Sequence, residues 1–352
     1  MKRILVSTLT ILILLSLSLP AWGNIGLGTR AMGMGGAFTA VADDESAFYW
    51  NPAGITQVRF VSVMIGAGAQ GEDFDFIMDT IDKVSDMEEL NPEDFEQGRG
   101  YLGLGLIGGI TTRYVGVNFY SETYGIAESV TENDLYVGVN NFTYGAVTLA
   151  GNFGEKFSVG LNLKKVVVGS GESGVYIDTE TPEDSISYTE YEEGDSLAYD
   201  IGVLYRLSDQ VRFGFTARNL GGEVNLKGEG IDYADGGTEY SLPEFTADLP
   251  RDYAIGISYR PFKNTLLAFD VQKSEASLTP KQTRFRFGFE QTALWNIIAL
   301  RLGAFTNKDE PLALTAGLGF KLGPLSIGVS YLKEELYDEE TEAASVTAGI
   351  RF

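Results

Sequence analysis

The chain has 352 residues, with 49 Asp and Glu against 26 Lys and Arg, a formal net charge of −23, no Cys and no His. Without Cys there are no disulfides, thiolate metal sites or lipid-anchoring thiol; without His the commonest general base and transition-metal ligand is missing. Most enzyme classes are weakened at once, no catalytic residue, metal or cofactor is expected, and the acidic balance argues against nucleic acid, which needs clustered Lys and Arg.

Lys2 and Arg3 precede an uncharged, mostly apolar run over residues 4–17, and Ala21, Trp22 and Gly23 place small residues at a cleavage position. Residues 1–23 therefore read as a secretory signal peptide cleaved near Gly23. The run falls short of the roughly 20 residues a spanning helix requires. A glycine-rich segment, residues 24–56, follows and contains Asn51, Pro52 and Ala53 near its end. Gly33, Gly35 and Gly36 permit close approaches that side chains block, and Asn51 before Pro52 favours extended or turn backbone over helix. No strand precedes these glycines and no Lys-Ser/Thr follows, which argues against a phosphate loop.

From residue 57 to 352 short segments alternate apolar and polar residues. Leu197, Tyr199, Ile201, Val203, Tyr205 and Leu207 share one face, opposite Ala198, Asp200, Gly202 and Arg206, with Leu204 an apolar exception. Val211, Phe213 and Phe215 oppose Arg212, Gly214 and Thr216; Tyr253, Ile255, Ile257 and Tyr259 oppose Ala254, Gly256, Ser258 and Arg260; Phe285, Phe287 and Phe289 oppose Arg284, Arg286, Gly288 and Glu290. Period-two alternation suits a strand between lipid and a polar lumen, and also one face of a β-sandwich. Fourteen strands are predicted, at 57–70, 99–110, 112–122, 135–150, 156–168, 195–207, 210–220, 250–260, 263–273, 281–291, 296–305, 311–321, 323–333 and 342–352. The connections decide between the two: those after odd strands are longer, and those after even strands are tight, as at Arg260-Pro261-Phe262 and Leu322-Gly323-Pro324. That asymmetry predicts an all-β membrane barrel of about 14 antiparallel strands, with periplasmic turns and extracellular loops at 71–98, 169–195 and 221–248.

Residues 72–96, 172–195 and 223–248 carry net charges of −10, −9 and −6, together more than the charge of the whole chain. This acidity reads as solubility and mutual repulsion, with cation binding as the sharper alternative, although no EF-hand spacing is present. Residues 344–352 alternate to a terminal Phe352, similar to the signal by which the barrel assembly machinery recognises its substrates.

Gly28-Thr29-Arg30-Ala31-Met32-Gly33-Met34-Gly35-Gly36-Ala37-Phe38, then Ala42-Asp43-Asp44, then Tyr49-Trp50-Asn51-Pro52-Ala53-Gly54 resemble the N-terminus of the FadL superfamily of outer-membrane proteins, which includes PorV and related uncharacterised branches. The resemblance implies that residues 24–56 are a hatch inside the lumen, with Gly33, Gly35, Gly36, Asn51, Pro52 and Ala53 as its motif. It also implies that the protein, in the outer membrane of a Gram-negative-type bacterium and surrounded by its lipid, passes a hydrophobic small molecule, a fatty acid or hydrocarbon, sideways through the wall. The alternative is a PorV-like component that transports nothing and binds a protein partner through its outer loops.

Lateral release requires a break in the wall, and the predicted fourth strand offers one. Leu135, Val137 and Val139 share a face that continues as Asn141, Thr143 and Gly145, while Phe142 and Tyr144 occupy the other. A bulge at Asn140 and Asn141, acting as a lateral gate, explains the exchange, as does a misplaced strand boundary. In the first long loop Phe74, Ile77, Ile81 and Val84 sit near helical spacing, reading either as a ligand-capture helix or as a lid over the mouth. Arg212, Arg260, Arg284 and Arg286 should face the lumen with Asp200 and Glu290 as partners, bracing the interior or binding a carboxylate head group.

Overall fold

The computed structural model describes residues 27–85, 97–131, 133–177, 186–233, 236–275, 281–307, 311–336 and 339–352; the expected signal peptide lies outside them. The alternating segments form β1 (Val61–Glu72), β2 (Gly98–Thr112), β3 (Val115–Ser129), β4 (Asp134–Phe153), β5 (Phe157–Tyr176), β6 (Ile186–Arg206), β7 (Val211–Leu220), β8 (Glu223–Asp232), β9 (Thr238–Ser241) and β10 (Phe245–Asp248). They continue as β11 (Arg251–Phe262), β12 (Thr265–Glu275), β13 (Gln282–Ala293), β14 (Ile298–Asn307), β15 (Ala313–Leu322), β16 (Leu325–Leu336) and β17 (Glu339–Arg351). Fourteen of them, β1–β7 and β11–β17, make the wall; β7 pairs with β11, and β17 returns to β1 with Val63 opposite Ile350. All pairings are antiparallel, and closure removes the exposed sheet edge that a membrane does not tolerate.

Register follows the alternation. Ile255, Phe285, Phe287, Leu300 and Leu302 point outward and are exposed, whereas Arg284, Arg286, Glu290 and Arg301 on the same strands point inward and are buried. At the end of the barrel with short turns, Phe60, Phe153, Phe262, Trp295 and Phe352 form an exposed aromatic girdle, the mark of a membrane interface.

The opposite, loop end differs from the sequence expectation. Segments 169–195 and 221–248 are largely sheet: β5 and β6 extend to Tyr176 and from Ile186, β8 pairs with the far half of β6, and β9 and β10 pair with β8. Above the apolar band neither face of a strand meets lipid, so both are polar and alternation disappears. The expected helix is present as α3 (Phe74–Ser85), the third helix after α1 (Thr29–Gly33) and α2 (Ala47–Trp50). It neither caps the mouth nor enters it. Gly100, Ala127, Leu135 and Val175 continue the outward register of β2–β5 yet are buried, and a Cβ on Gly100 would meet Ile77, so α3 packs on the outside of the rim. Ile81 is exposed; the side chains of Phe74 and Val84 lie outside the described residues.

Residues 27–58 lie inside the barrel at its turn end, as α1, α2 and a 3-10 turn at Pro52–Gln57. Leu27, Met34, Phe38, Phe48 and Ile55 are fully buried, and the Trp50 indole N–H donates to the Leu27 carbonyl at 2.9 Å. The wall admits this segment through a collar of inward glycines. A Cβ on Gly160 would fall 2.2 Å from Ala53 N, one on Gly202 2.2 Å from Asn51 Oδ1, one on Gly214 2.2 Å from the Thr39 carbonyl and one on Gly303 2.1 Å from Gly35 N. Gly160 faces Gly202, Gly214 faces Gly256 and Gly288 faces Gly303 across the ladder, so the collar follows the register. Gly202→Val should therefore cost about 1–3 kcal/mol by overpacking, read as a lower urea midpoint in lipid. Gly145→Ala, at a site with nothing within 4 Å, should stay within about 0.5 kcal/mol of wild type.

Candidate functional site

Polar contacts bolt the inner segment to the wall. Asn51, fully buried, donates from Nδ2 to the carbonyls of Thr39 (2.8 Å) and Val203 (3.0 Å), while its Oδ1 accepts from Ala53 N at 3.1 Å. Pro52 occupies the first position of the 3-10 turn, where no N–H is needed. Asp270 of β12 accepts the backbone N–H groups of Phe38 (2.8 Å) and Thr39 (2.7 Å), and Arg286 of β13 donates to the Gly35 carbonyl at 3.0 Å.

Charges complete the attachment. Asp43 meets Arg30 at 2.5 Å, Arg260 at 3.1 Å and Arg212 at 3.8 Å, and Arg30 makes a bidentate pair with Glu290, at 2.7 and 2.8 Å. Arg301 shares Glu290 at 2.8 Å, and Arg351 reaches Glu45 at 3.2 Å. Burial opposes ionisation of Asp43, but the surrounding guanidiniums hold its carboxyl well below the usual carboxylate range. Beneath this network a cavity of 330 Å³, lined among others by Arg30, Asp43, Lys263, Lys321 and Phe320, opens at the turn end.

The predicted lumenal charges are thus inward, with different partners. Arg212 and Arg260 serve Asp43, and Glu290 serves Arg30 and Arg301. Arg286 holds Gly35, Arg284 donates to Gln282 at 3.3 Å, and Asp200 pairs with Lys164 at 2.6 Å. The sequence motif included Arg30 and Asp43 without assigning them partners, and sequence reading missed Lys164 and Asp270. The last two stand at inward positions of their strands, a signal that alternation carried.

On the loop side of the inner segment the lumen becomes apolar. Tyr49 meets Tyr120 edge-on at 5.0 Å, and Tyr120 stacks on Tyr144 at 4.3 Å. Val166, Val168, Ala198, Val224, Leu226 and Leu249 continue the same buried cluster, with Phe142 and Phe245 packed against it. Beside it the wall ladder is interrupted. β6 pairs with β8 from Tyr188 to Glu193 and with β7 from Tyr199 to Arg206, leaving residues 194–198 paired on the β5 side alone among the described residues. The register shifts between Tyr199 and Ile201, and Asn219 and Gly221 adopt positive φ of 57° and 70° where the chain leaves β7. A buried knot holds this corner: Lys164 Nζ donates to Asn219 Oδ1, to Asp200 at 2.6 Å and to the Tyr120 hydroxyl at 3.2 Å, and Asp200 accepts Asn219 N at 2.9 Å.

β4 carries no break at Asn140 and Asn141. Asn140 faces Tyr124 and Ser170, and Asn141 faces Thr123 and Gly169, in continuous ladders on both sides. The exchange of character marks where the strand leaves the apolar band. Val147 and Leu149 face outward below, whereas Asn141 higher up donates to Ser121 (3.1 Å) and Thr123 (2.7 Å).

No protein-family model matches the sequence, and no curated protein matches it. Solved structures do. The toluene transporter TbuX of Ralstonia pickettii aligns with a TM-score of 0.64 at 11% identity, covering 94% of this chain and 100% of that one. A FadL homologue of Pseudomonas aeruginosa gives 0.66 at 12% identity with the same coverage, and the toluene transporter TodX of P. putida gives 0.61 at 11%, covering 94% and 99%. The chain has the FadL-superfamily fold. At these identities the FadL likeness is one of architecture.

Because a depressed carboxylate stabilises above its unfolded pKa and loses that effect as pH falls through its folded one, attachment of residues 27–58 should persist down to about pH 4 and weaken only below it. Wild-type conductance in planar bilayers should accordingly stay low from about pH 7 to pH 4, whereas Asp43→Asn should leak at neutral pH and lose about 2–3 kcal/mol of stability. A wild-type leak that already appears near pH 6 would remove Asp43 from this role.

Proposed function

We propose that this protein is an outer-membrane channel for hydrophobic small molecules, exported by its signal peptide and inserted by the barrel assembly machinery, with residues 27–58 acting as the hatch. Solute entering from the loop end meets the apolar cluster over the hatch and leaves through the wall beside β6. The observation that carries this reading is the adjacency of that cluster to the interrupted ladder at residues 194–198. Leu197, 74% exposed, faces outward there, directly opposite Lys165 of the exposed Lys165–Asp195 ion pair at the edge of the apolar band. An exit at this level delivers an apolar solute into lipid, whereas a route through the hatch would separate Asp43, Arg30 and Glu290 and leave their charges unpaired against an apolar solute.

The similar solved structures named above, described as toluene transporters and a FadL homologue, support a transported solute over a partner-binding role. No feature of the fold favours the PorV-like alternative.

The test is uptake of a labelled fatty acid and a labelled hydrocarbon by cells with and without the gene. Ala198→Phe, at a buried inward position beside the interruption, should lower uptake about tenfold per folded barrel, the equivalent of roughly 1.4 kcal/mol. Equal uptake with and without the gene would defeat the proposal.

A further inference from the structure

The loop-end lumen carries a second group of residues, opposite in character to the apolar cluster. On the inward faces of β4, β5 and β6, Glu172 stands directly opposite Glu190, and Ser170 stands between Asn140 and Glu192. Like charges directly opposite on neighbouring strands repel. Among the described residues, no Lys or Arg makes an ion pair with Glu172, Glu190 or Glu192; the inward Arg99 stands opposite Glu128 on the far side of β4.

Two acceptors here are buried and unmatched. Glu172 is 7% exposed; its Oε2 accepts from the Tyr136 hydroxyl at 3.2 Å, but its Oε1 has no hydrogen-bond partner. Asn140 is 3% exposed, and its Oδ1 is likewise without one. Burying such groups unmatched is costly. Three aromatic rings surround them: Tyr136 lies against Gly138, Tyr188 against Gly174, and Tyr240 against Gly230 while donating to Glu190 at 2.6 Å.

Carboxylates and an amide oxygen among tyrosines, without a basic side chain, call for a cation. Among the described residues no group of three or more acidic side chains is arranged to hold a metal ion, whereas carboxylates ringed by tyrosines suit ammonium heads. Val166, Val168, Ser170 and Glu172 follow one another on the inward face of β5, so an apolar tail descending about 13 Å from the carboxylate reaches the apolar cluster. The loop segments at −10, −9 and −6 concentrate cations at this mouth.

We infer that the loop-end lumen binds amphiphilic organic cations, an alkylammonium or quaternary ammonium head seated between Glu172 and Glu190 among Tyr136 and Tyr188, with its tail on Val168 and Val166. This names a substrate class for the channel and rests on that reading only for passage beyond the site. The experiment is binding of dodecyltrimethylammonium, dodecanol and dodecanoate to the full barrel in nanodiscs, with empty nanodiscs subtracted. The cation should bind at least about tenfold more tightly than dodecanol, and the E172Q/E190Q variant should bind the two alike. Glu193→Gln, on the outward face of β6, should leave the preference intact. Glu190→Gln alone, at a half-buried position, makes the same test should the double variant fail to fold. Equal binding of all three probes, or a cation preference that survives both variants, overturns the inference. Either result with hydrocarbon uptake retained leaves the channel reading standing, and lost uptake with cation binding intact refutes the channel alone.

Discussion

A closed ladder of fourteen strands encloses more volume than its inward side chains fill. In this chain the excess at the turn end is taken up by the chain's own N-terminal segment, pressed backbone to backbone against the wall. Such an approach is possible where the wall has no Cβ, and Gly160, Gly202, Gly214 and Gly303 stand at those contacts. Close packing of this kind leaves little room for a side chain on either surface, so the wall glycines and the Asn51-Pro52-Ala53 turn are two halves of one fit.

Packing alone does not orient the segment; the charges do. Asp43 gathers Arg30, Arg212 and Arg260, and Glu290 gathers Arg30 and Arg301. Each ion comes from a different strand or from the segment itself, so the network fixes the angular position of the segment within the barrel. In a partly desolvated lumen, withdrawal of one member leaves its partners unmatched, which costs more than the pair contributes net.

The loop side of the lumen obeys a different balance. Close to the inner segment it is apolar, beside a stretch of β6, residues 194–198, that among the described residues pairs with β5 alone; farther out it is acidic and tyrosine-rich. Lys164, Asp200 and Asn219 hold the corner between these regions. The interruption arises from chain direction: β7 turns away at Asn219 and Gly221, and β8 resumes the pairing several residues later.

Alternation made the barrel legible, because lipid outside and polar groups inside impose opposite demands on successive residues. It also placed Arg212, Arg260, Arg284, Arg286, Asp200 and Glu290 inward. It failed beyond the apolar band, where β5, β6 and β8 carry polar residues on both faces, and it misread Asn141, whose outward polarity marks the edge of the apolar band and not a bulge. The helical spacing of Ile77 and Ile81 was correct, but the side of the rim on which α3 lies depends on Gly100, Ala127, Leu135 and Val175, which share no neighbourhood in the sequence. Strand number and facing are therefore legible in the sequence alone, because local periodicity and turn chemistry set them. Which carboxylate meets which guanidinium, where the wall ladder is interrupted and which acceptors remain unmatched follow from tertiary structure alone, because each depends on register between strands far apart in the chain.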